Sequence, residues 1–175
     1  MILHQHPYVL KVLKHFQMEN VKHVCTPLPS GYQPEKAPIN YKASASDRQQ
    51  YQSIIGSLLF VMLGTRLDIA FSVIKMSQYM ANPMKEHIQK ALHIVKYLGS
   101  TPLLALSCTG GDSTLDCYCN SDWAGDLESQ CSTSDYFIFM GNDMVSWRSH
   151  RQPTVALSST EAKYMSMCDC AQQIL

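Results

Sequence analysis

The side chains of this 175-residue chain that could do chemistry gather in its last third. Residues 100–175 carry nine Asp/Glu and only three basic residues, Arg148, Arg151 and Lys163. Carboxylate oxygens are what hard divalent ions prefer, so several of them drawn to one point would make a cation site. Glu161 follows Ser158-Ser-Thr and falls in the first turn of the helix that this trio would cap. A plainer role is open to it there, because a negative charge at that end offsets the helix dipole by about 0.3–1 kcal/mol. Asp126 and Glu128 read as solvated turn residues. Seven cysteines form no CxxC pair, but Cys117/Cys119 and Cys168/Cys170 are each spaced CxC. On a strand that spacing puts both thiols on one face, and on a helix it puts them about 200° apart. They read as reduced thiols rather than as a zinc site.

Charge divides the chain. Residues 1–99 carry 11 Lys/Arg against 5 Asp/Glu, a net of +6, whereas residues 100–175 have a net of −6. The split suggests two modules, one basic enough to meet phosphates and one rich in carboxylates. A hydrophobic content of 46% is enough for a packed core. The longest apolar run, residues 54–63, is interrupted by Gly56 and Ser57 and is too short to span a bilayer. His4, Gln5, His6 and Pro7 break any apolar run at the start, so no secretion signal is expected. The expectation is an intracellular protein with no membrane partner.

The elements that must position these groups follow from periodicity. Residues 8–18 read as an amphipathic helix with Tyr8, Val9, Val12, Leu13 and Phe16 inward. Five prolines and glycines between 25 and 45 (Pro27, Pro29, Gly31, Pro34 and Pro38) make that segment an extended linker. Ser46 is the expected N-cap of the next helix, with Gln49 completing a capping box. Its stripe is Tyr51, Ile54, Ile55, Leu58, Leu59 and Met62, and Gly64-Thr65 ends it. A second helix spans 67–80, with Ile69, Ala70, Val73, Ile74 and Met80 inward. After the Asn82-Pro83 turn a third spans 85–98, with Gly99 just past its end. Beyond Gly99 the period changes to two. Residues 103–108 are a short apolar run, 115–120, 134–140 and 144–148 are strands, and Gly141-Asn142-Asp143 is a hairpin turn. A helix from Ser158 onward closes the order. The fold class is therefore α+β, a helical bundle followed by β-β-β-α. Trp123 and Trp147 read as core aromatics of the sheet, and His4 and His6 as solvated.

Several segments together resemble one family. Tyr51-Gln-Ser-Ile-Ile-Gly-Ser-Leu-Leu, Thr65-Arg-Leu-Asp-Ile-Ala-Phe, Tyr79-Met-Ala-Asn-Pro and Lys96-Tyr-Leu-Gly-Ser-Thr resemble the end of copia-type retrotransposon reverse transcriptases. Ser121-Asp-Trp-Ala-Gly-Asp, Ser132-Thr-Ser, Val145-Ser-Trp-Arg-Ser and Arg151-Gln-Pro-Thr-Val-Ala-Leu-Ser-Ser-Thr-Glu-Ala-Lys-Tyr resemble the ribonuclease H that follows in the Pol polyprotein. The motifs are co-linear over nearly the whole chain. The resemblance implies a thumb-like helical region over residues 1–108, including the linker 25–45, that grips template and primer. It implies the first half of a ribonuclease H-like domain over 109–175, a unit left incomplete, with an open sheet edge and marginal stability. Partners would be an RNA–DNA hybrid or template–primer and the rest of the Pol polyprotein, in a cytoplasmic particle or the nucleus.

The family's chemistry is two-ion hydrolysis, in which Mg²⁺ ions held by several carboxylates offset charge developing on the scissile phosphate. The resemblance assigns Glu161 to the ligand at the start of the first helix. Where the family reads Asp-Ala-Asp-Trp, this chain reads Asn120-Ser-Asp-Trp, so the first Asp is replaced by a neutral amide with one oxygen. Asp122, on the same face if the strand continues, is either a partial substitute ligand or a solvated turn residue like Asp126 and Glu128. Two further carboxylates of the family fall beyond Leu175, and the polymerase's Tyr-x-Asp-Asp is absent. Lys163 adds a positive charge near the site. The expectation is a catalytically incomplete fragment, or alternatively a non-catalytic module that binds hybrid. For the latter, Lys85, Lys90 and Lys96 are the candidate phosphate contacts, against the plainer reading of a solvated helix face.

Overall fold

Pro7, whose ring pre-sets a helical φ, and the buried stripe Val9, Val12 and Leu13 start the first helix, α1 (His6–His15). The computed structural model describes residues 1–20, 22–126 and 129–175, and Glu128 lies outside them. Five α-helices and two small sheets are present among these residues. They divide into a helical unit, Leu3–Leu106, and a sheet unit, Met1–Ile2 with Ser107–Leu175. The two-residue strands β1 (Ile2–Leu3) and β2 (Leu106–Ser107) pair with each other, their residues shared between the units. No helix among the described residues is long and apolar enough to cross a membrane.

The helical unit's core comes from three further helices, α2 (Ala45–Gly64), α3 (Ala70–Ser77) and α4 (Lys85–Ser100). Helix α2 buries Tyr51, Ile54, Ile55, Leu58, Val61 and Met62, and the Tyr51 hydroxyl donates to the Met76 carbonyl at 2.7 Å. Its cap is Ser44 rather than Ser46: the Ser44 hydroxyl accepts from the Asp47 N–H at 3.0 Å. The reason is upstream. Asn82 accepts from the Ala43 N–H and donates to the Tyr41 carbonyl, which fixes the end of the linker and delivers Ser44 to the helix start.

Gly99 is not past the end of α4 but inside it, and a Cβ there would lie 2.9 Å from a Leu13 methyl. The glycine therefore serves the close approach of α1 to α4. The proline-rich stretch has no helix, and side chains meet the carbonyls of Thr26, Pro34 and Glu35. Tyr79 donates to Pro34 at 3.0 Å, and His87 bridges Met84 and Glu35. Since His87 Nδ1 accepts from the Met84 N–H, its Nε2 carries the proton that bonds the Glu35 carbonyl. Burial pushes this imidazole's pKa down, against the Glu35 bond and the Glu86 charge.

The expected helix over 67–80 is broken up. A 3-10 turn, Leu67–Ile69, precedes a short α3 that stops at Ser77, whose hydroxyl donates back to the Ile74 carbonyl. Arg66 imposes the turn. It is 2% exposed, and its Nε and Nη2 donate to the two Asp68 oxygens at 2.9 and 2.8 Å. Nη1 and Nη2 also reach the Thr101 carbonyl and hydroxyl at 2.9 and 2.6 Å, and the guanidinium lies 5.6 Å from the Tyr97 ring centre. Burial alone would raise the Asp68 carboxyl, but the hydrogen bonds and charge of Arg66 outweigh it and hold the group below the usual carboxylate range.

The sheet unit contains β3 (Leu115–Ser121), β4 (Thr133–Met140) and β5 (Asp143–Arg151), antiparallel in that order, followed by α5 (Ser159–Ile174). Gly141, at φ +61°, makes the β4–β5 turn, and a register shift near Ile138 leaves Val145 as the extra residue of a bulge. Ser158 caps α5 as the Ser-Ser-Thr run predicts.

Asp68→Ala strands the buried Arg66 charge, and we expect a loss of about 3 kcal/mol of stability in the helical unit. Adding Arg66→Met should recover part of it. Urea unfolding followed by far-ultraviolet circular dichroism measures both.

Candidate functional site

Strand alternation sorts the candidate groups onto two faces of the sheet. Cys117, Cys119, Ser121, Ser134, Tyr136 and Ile138 face α5, as the burial of Tyr136, Ile138 and Cys170 in one cluster shows. Tyr118, Asn120, Asp135, Phe137 and Ser149 point to the other face. Helix α5 runs back along β3. The Ser166 hydroxyl donates to the Asn120 carbonyl at 2.8 Å, and Gln152, 1% exposed, donates to the Ala162 carbonyl and to the Ser134 hydroxyl at 2.8 Å each. The start of α5 thus lies toward the Ser121 end of β3, which is the end that carries Asn120 and Asp122.

At that end the structure brings together Asn120, Asp122 and a residue the sequence reading did not single out, Asp135. Asn120 sits directly opposite Asp135 in the β3–β4 ladder, and Asp135 is opposite Ser149 in the β4–β5 ladder. Burial pushes the Asp135 carboxyl up. The Asp122 charge adds to the rise, while the Ser149 hydroxyl and His150 oppose it. Asp135 was hidden in the run Thr-Ser-Asp-Tyr-Phe-Ile-Phe-Met, where alternation reads it as an ordinary outward polar residue.

Asp122 lies one residue past the end of β3. One carboxylate oxygen accepts from the Thr133 N–H, while the Asp122 N–H donates to the Thr133 carbonyl at 3.2 Å. The same carboxylate leans over Gly125, where any Cβ would collide with it. It therefore closes the connection between β3 and β4. Trp123 is 56% exposed, contrary to the core reading, although its indole N–H donates to the Ala156 carbonyl at 3.1 Å. Trp147 is half-buried on β5.

Glu161 is not brought to this group. It is exposed, its N–H donates to the Ser158 hydroxyl at 3.1 Å, and its carboxylate accepts from the Leu157 N–H at 2.7 Å. That reciprocal arrangement satisfies two otherwise orphaned donors at the helix start, in the manner of a capping box. Among the described residues no three His, Cys, Asp or Glu side chains converge to hold a metal ion. The residues present do not fit a two-magnesium centre. Such ions need several convergent oxygens, whereas Asn120 is neutral and the carboxylates of Asp122 and Glu161 are each held on a backbone N–H.

The lysines of α4 do not form one row. At about 100° per residue, Lys85 and Lys96 lie within roughly 20° of each other around the helix, while Lys90 is more than 100° from both. The Lys90 ammonium stands 4.6 Å from the Tyr32 ring centre, a cation–π contact with the linker. Among the thiols, Cys168 is exposed and Cys170 buried, as their angular separation on a helix requires.

The chain is similar to the retrovirus-related Pol polyprotein from transposon RE1 of Arabidopsis thaliana. Identity is 34% over 173 residues, 98% of this chain and 12% of the relative. The Pol polyprotein from transposon TNT 1-94 of Nicotiana tabacum is 34% identical over 177 residues, 99% of this chain and 13% of its own length. The chain thus spans about an eighth of these two relatives. A secreted RxLR effector protein 161 of Plasmopara viticola is 41% identical over 124 residues, 70% of this chain and 87% of that protein. No family model matches the chain, and neither does any solved structure.

The raised Asp135 carboxyl has a signed consequence. The folded state holds this proton more tightly than the unfolded state, so Asp135 adds stability as pH falls through its raised value, fully below 3.8, and costs stability at neutral pH. Asp135→Asn should remove that acid-side gain and raise the unfolding midpoint at pH 7. Urea titrations between pH 4 and 7 measure the difference.

Proposed function

Because the chain belongs to the retrovirus-related Pol polyproteins of copia-type retrotransposons, we propose that it is the junction of two of their activities. The helical unit is the thumb-like end of the reverse transcriptase, holding template and primer. The sheet unit is the start of the ribonuclease H, with its β-β-β-α order. Nucleic acid and the remainder of Pol are its partners, and its setting is an intracellular particle or the nucleus.

The observation that carries this reading is the fate of the family's ligand positions. Asn120 stands where a catalytic Asp is expected, Asp122 closes a turn and Glu161 caps a helix. The carboxylates of Asp122 and Glu161 are thereby engaged in local structure. On this reading the chain does not cut RNA by itself.

What it retains is affinity for nucleic acid, carried by the basic helical unit. That unit, Leu3–Leu106, holds all 11 Lys/Arg of the first 99 residues against 5 Asp/Glu. A phosphate backbone lying along α4 would meet Lys85 and Lys96 together and miss Lys90, which is turned to the linker.

Fluorescence anisotropy with a short RNA–DNA hybrid tests this. Affinity should fall steeply with salt, the logarithmic slope being about −0.9 per phosphate contact. Lys85→Glu with Lys96→Glu should weaken binding at least tenfold and flatten that slope by about two, whereas Lys90→Glu should do neither. Salt-independent binding, or equal loss from Lys90→Glu, would contradict the assignment.

A further inference from the structure

Three of the seven thiols meet between β3 and α5. Cys117 and Cys119 lie on the strand face that α5 covers, opposite Ile138 and Tyr136 in the ladder. Cys170, 4% exposed, is buried against those same two residues, and Cys119 packs against the cluster they form. Cys117 is exposed and sits opposite Ile138, one of the two residues that Cys170 is buried against. One thiol of this pair is therefore open to solvent while the other waits beneath it, on a different element of the fold.

We propose that Cys117 and Cys170 form a hydroperoxide-responsive pair that closes to a disulfide joining β3 to α5. The Cys117 thiolate attacks the terminal oxygen of a hydroperoxide. An S–O bond forms, the O–O bond breaks, and the alcohol or water leaves with the proton. The Cys170 thiol then loses its proton and attacks the Cys117 sulfur, so that the S–S bond forms and the S–O bond breaks, releasing water. Two thiols are oxidised by two electrons in all, and one hydroperoxide is reduced.

The two thiols divide the roles by their surroundings. Burial, with the neighbouring Cys117 and Cys119, pushes the Cys170 thiol up, which keeps it protonated and unreactive until an oxidised sulfur is presented to it. Cys168, two residues away, faces solvent from the other side of α5 and has no such partner geometry. Closure ties α5, the helix that Glu161 caps, to the strand that carries Asn120. It does so near the end of the helix remote from that cap.

The test is peptide mapping by mass spectrometry of the whole native chain after brief exposure to a small excess of hydrogen peroxide. The expected product is a Cys117–Cys170 linkage that raises the melting temperature of the sheet unit by roughly 10 °C and is reversed by dithiothreitol. Cys168→Ser should leave its formation unchanged. Cys170→Ser should leave Cys117 as a sulfenic acid that dimedone traps, and this trapping can also be followed in the unaltered chain during the first seconds of oxidation. A Cys119–Cys170 linkage, oxidation of Cys117 no faster than that of Cys25 or Cys168, or purely intermolecular disulfides would each overturn the proposal.

Discussion

A guanidinium cannot be taken out of water without full compensation, and the helical unit is organised around meeting that demand at Arg66. Its donors are distributed over Asp68, the Thr101 carbonyl and the Thr101 hydroxyl, with the Tyr97 ring alongside. Those partners come from the turn after α2 and from the last residues of α4. The charge therefore dictates where α2 must stop, why the chain tightens into a 3-10 turn before α3, and where α4 must end. The neighbouring Thr65 extends the constraint to the start of α1, since its hydroxyl donates to the Gln5 side chain at 3.0 Å. Removing one partner leaves a buried charge unmatched, which is why a paired arrangement of this kind is costly to break and of little net value to stability as a whole.

The sheet unit has no such centre. Its interior is a small apolar cluster of Tyr136, Ile138 and Cys170, beside a polar layer made by Gln152, Ser134 and Ser166. Side-chain groups bound to backbone take over the work that a larger core would do. Asp143 accepts from the Thr109 and Gly110 N–H groups, Asp122 from Thr133, and Glu161 from Leu157. The carboxylates that suggest a cation site are thus the same ones that hold turns and a helix end.

Local patterns carried much of this architecture. The 3.6-residue stripes of α1, α2 and α4, the Gly141 turn and the Ser158 cap all depend on a few adjacent residues, and all are visible in sequence. The errors share a physical cause, which is that distant partners decide the outcome. Ser44 and Ser46 are equivalent caps until Asn82 anchors Ala43. Gly99 reads as a helix stop until Leu13 is packed against it. Asp135 becomes notable only once the β3 and β4 register sets it opposite Asn120 and near Asp122. The α+β class was therefore legible, whereas the environment of the candidate site depended on register and packing.

On the proposed function, Asp122 and Glu161 act as structural groups and the chain holds nucleic acid without cutting it. The most direct measurement is cleavage of a labelled RNA–DNA hybrid by the whole chain in millimolar Mg²⁺, beside the Glu161→Ala variant. The account predicts no product above a protein-free control for either protein, with hybrid binding retained. Magnesium-dependent cleavage by the unaltered chain that disappears in Glu161→Ala would contradict it.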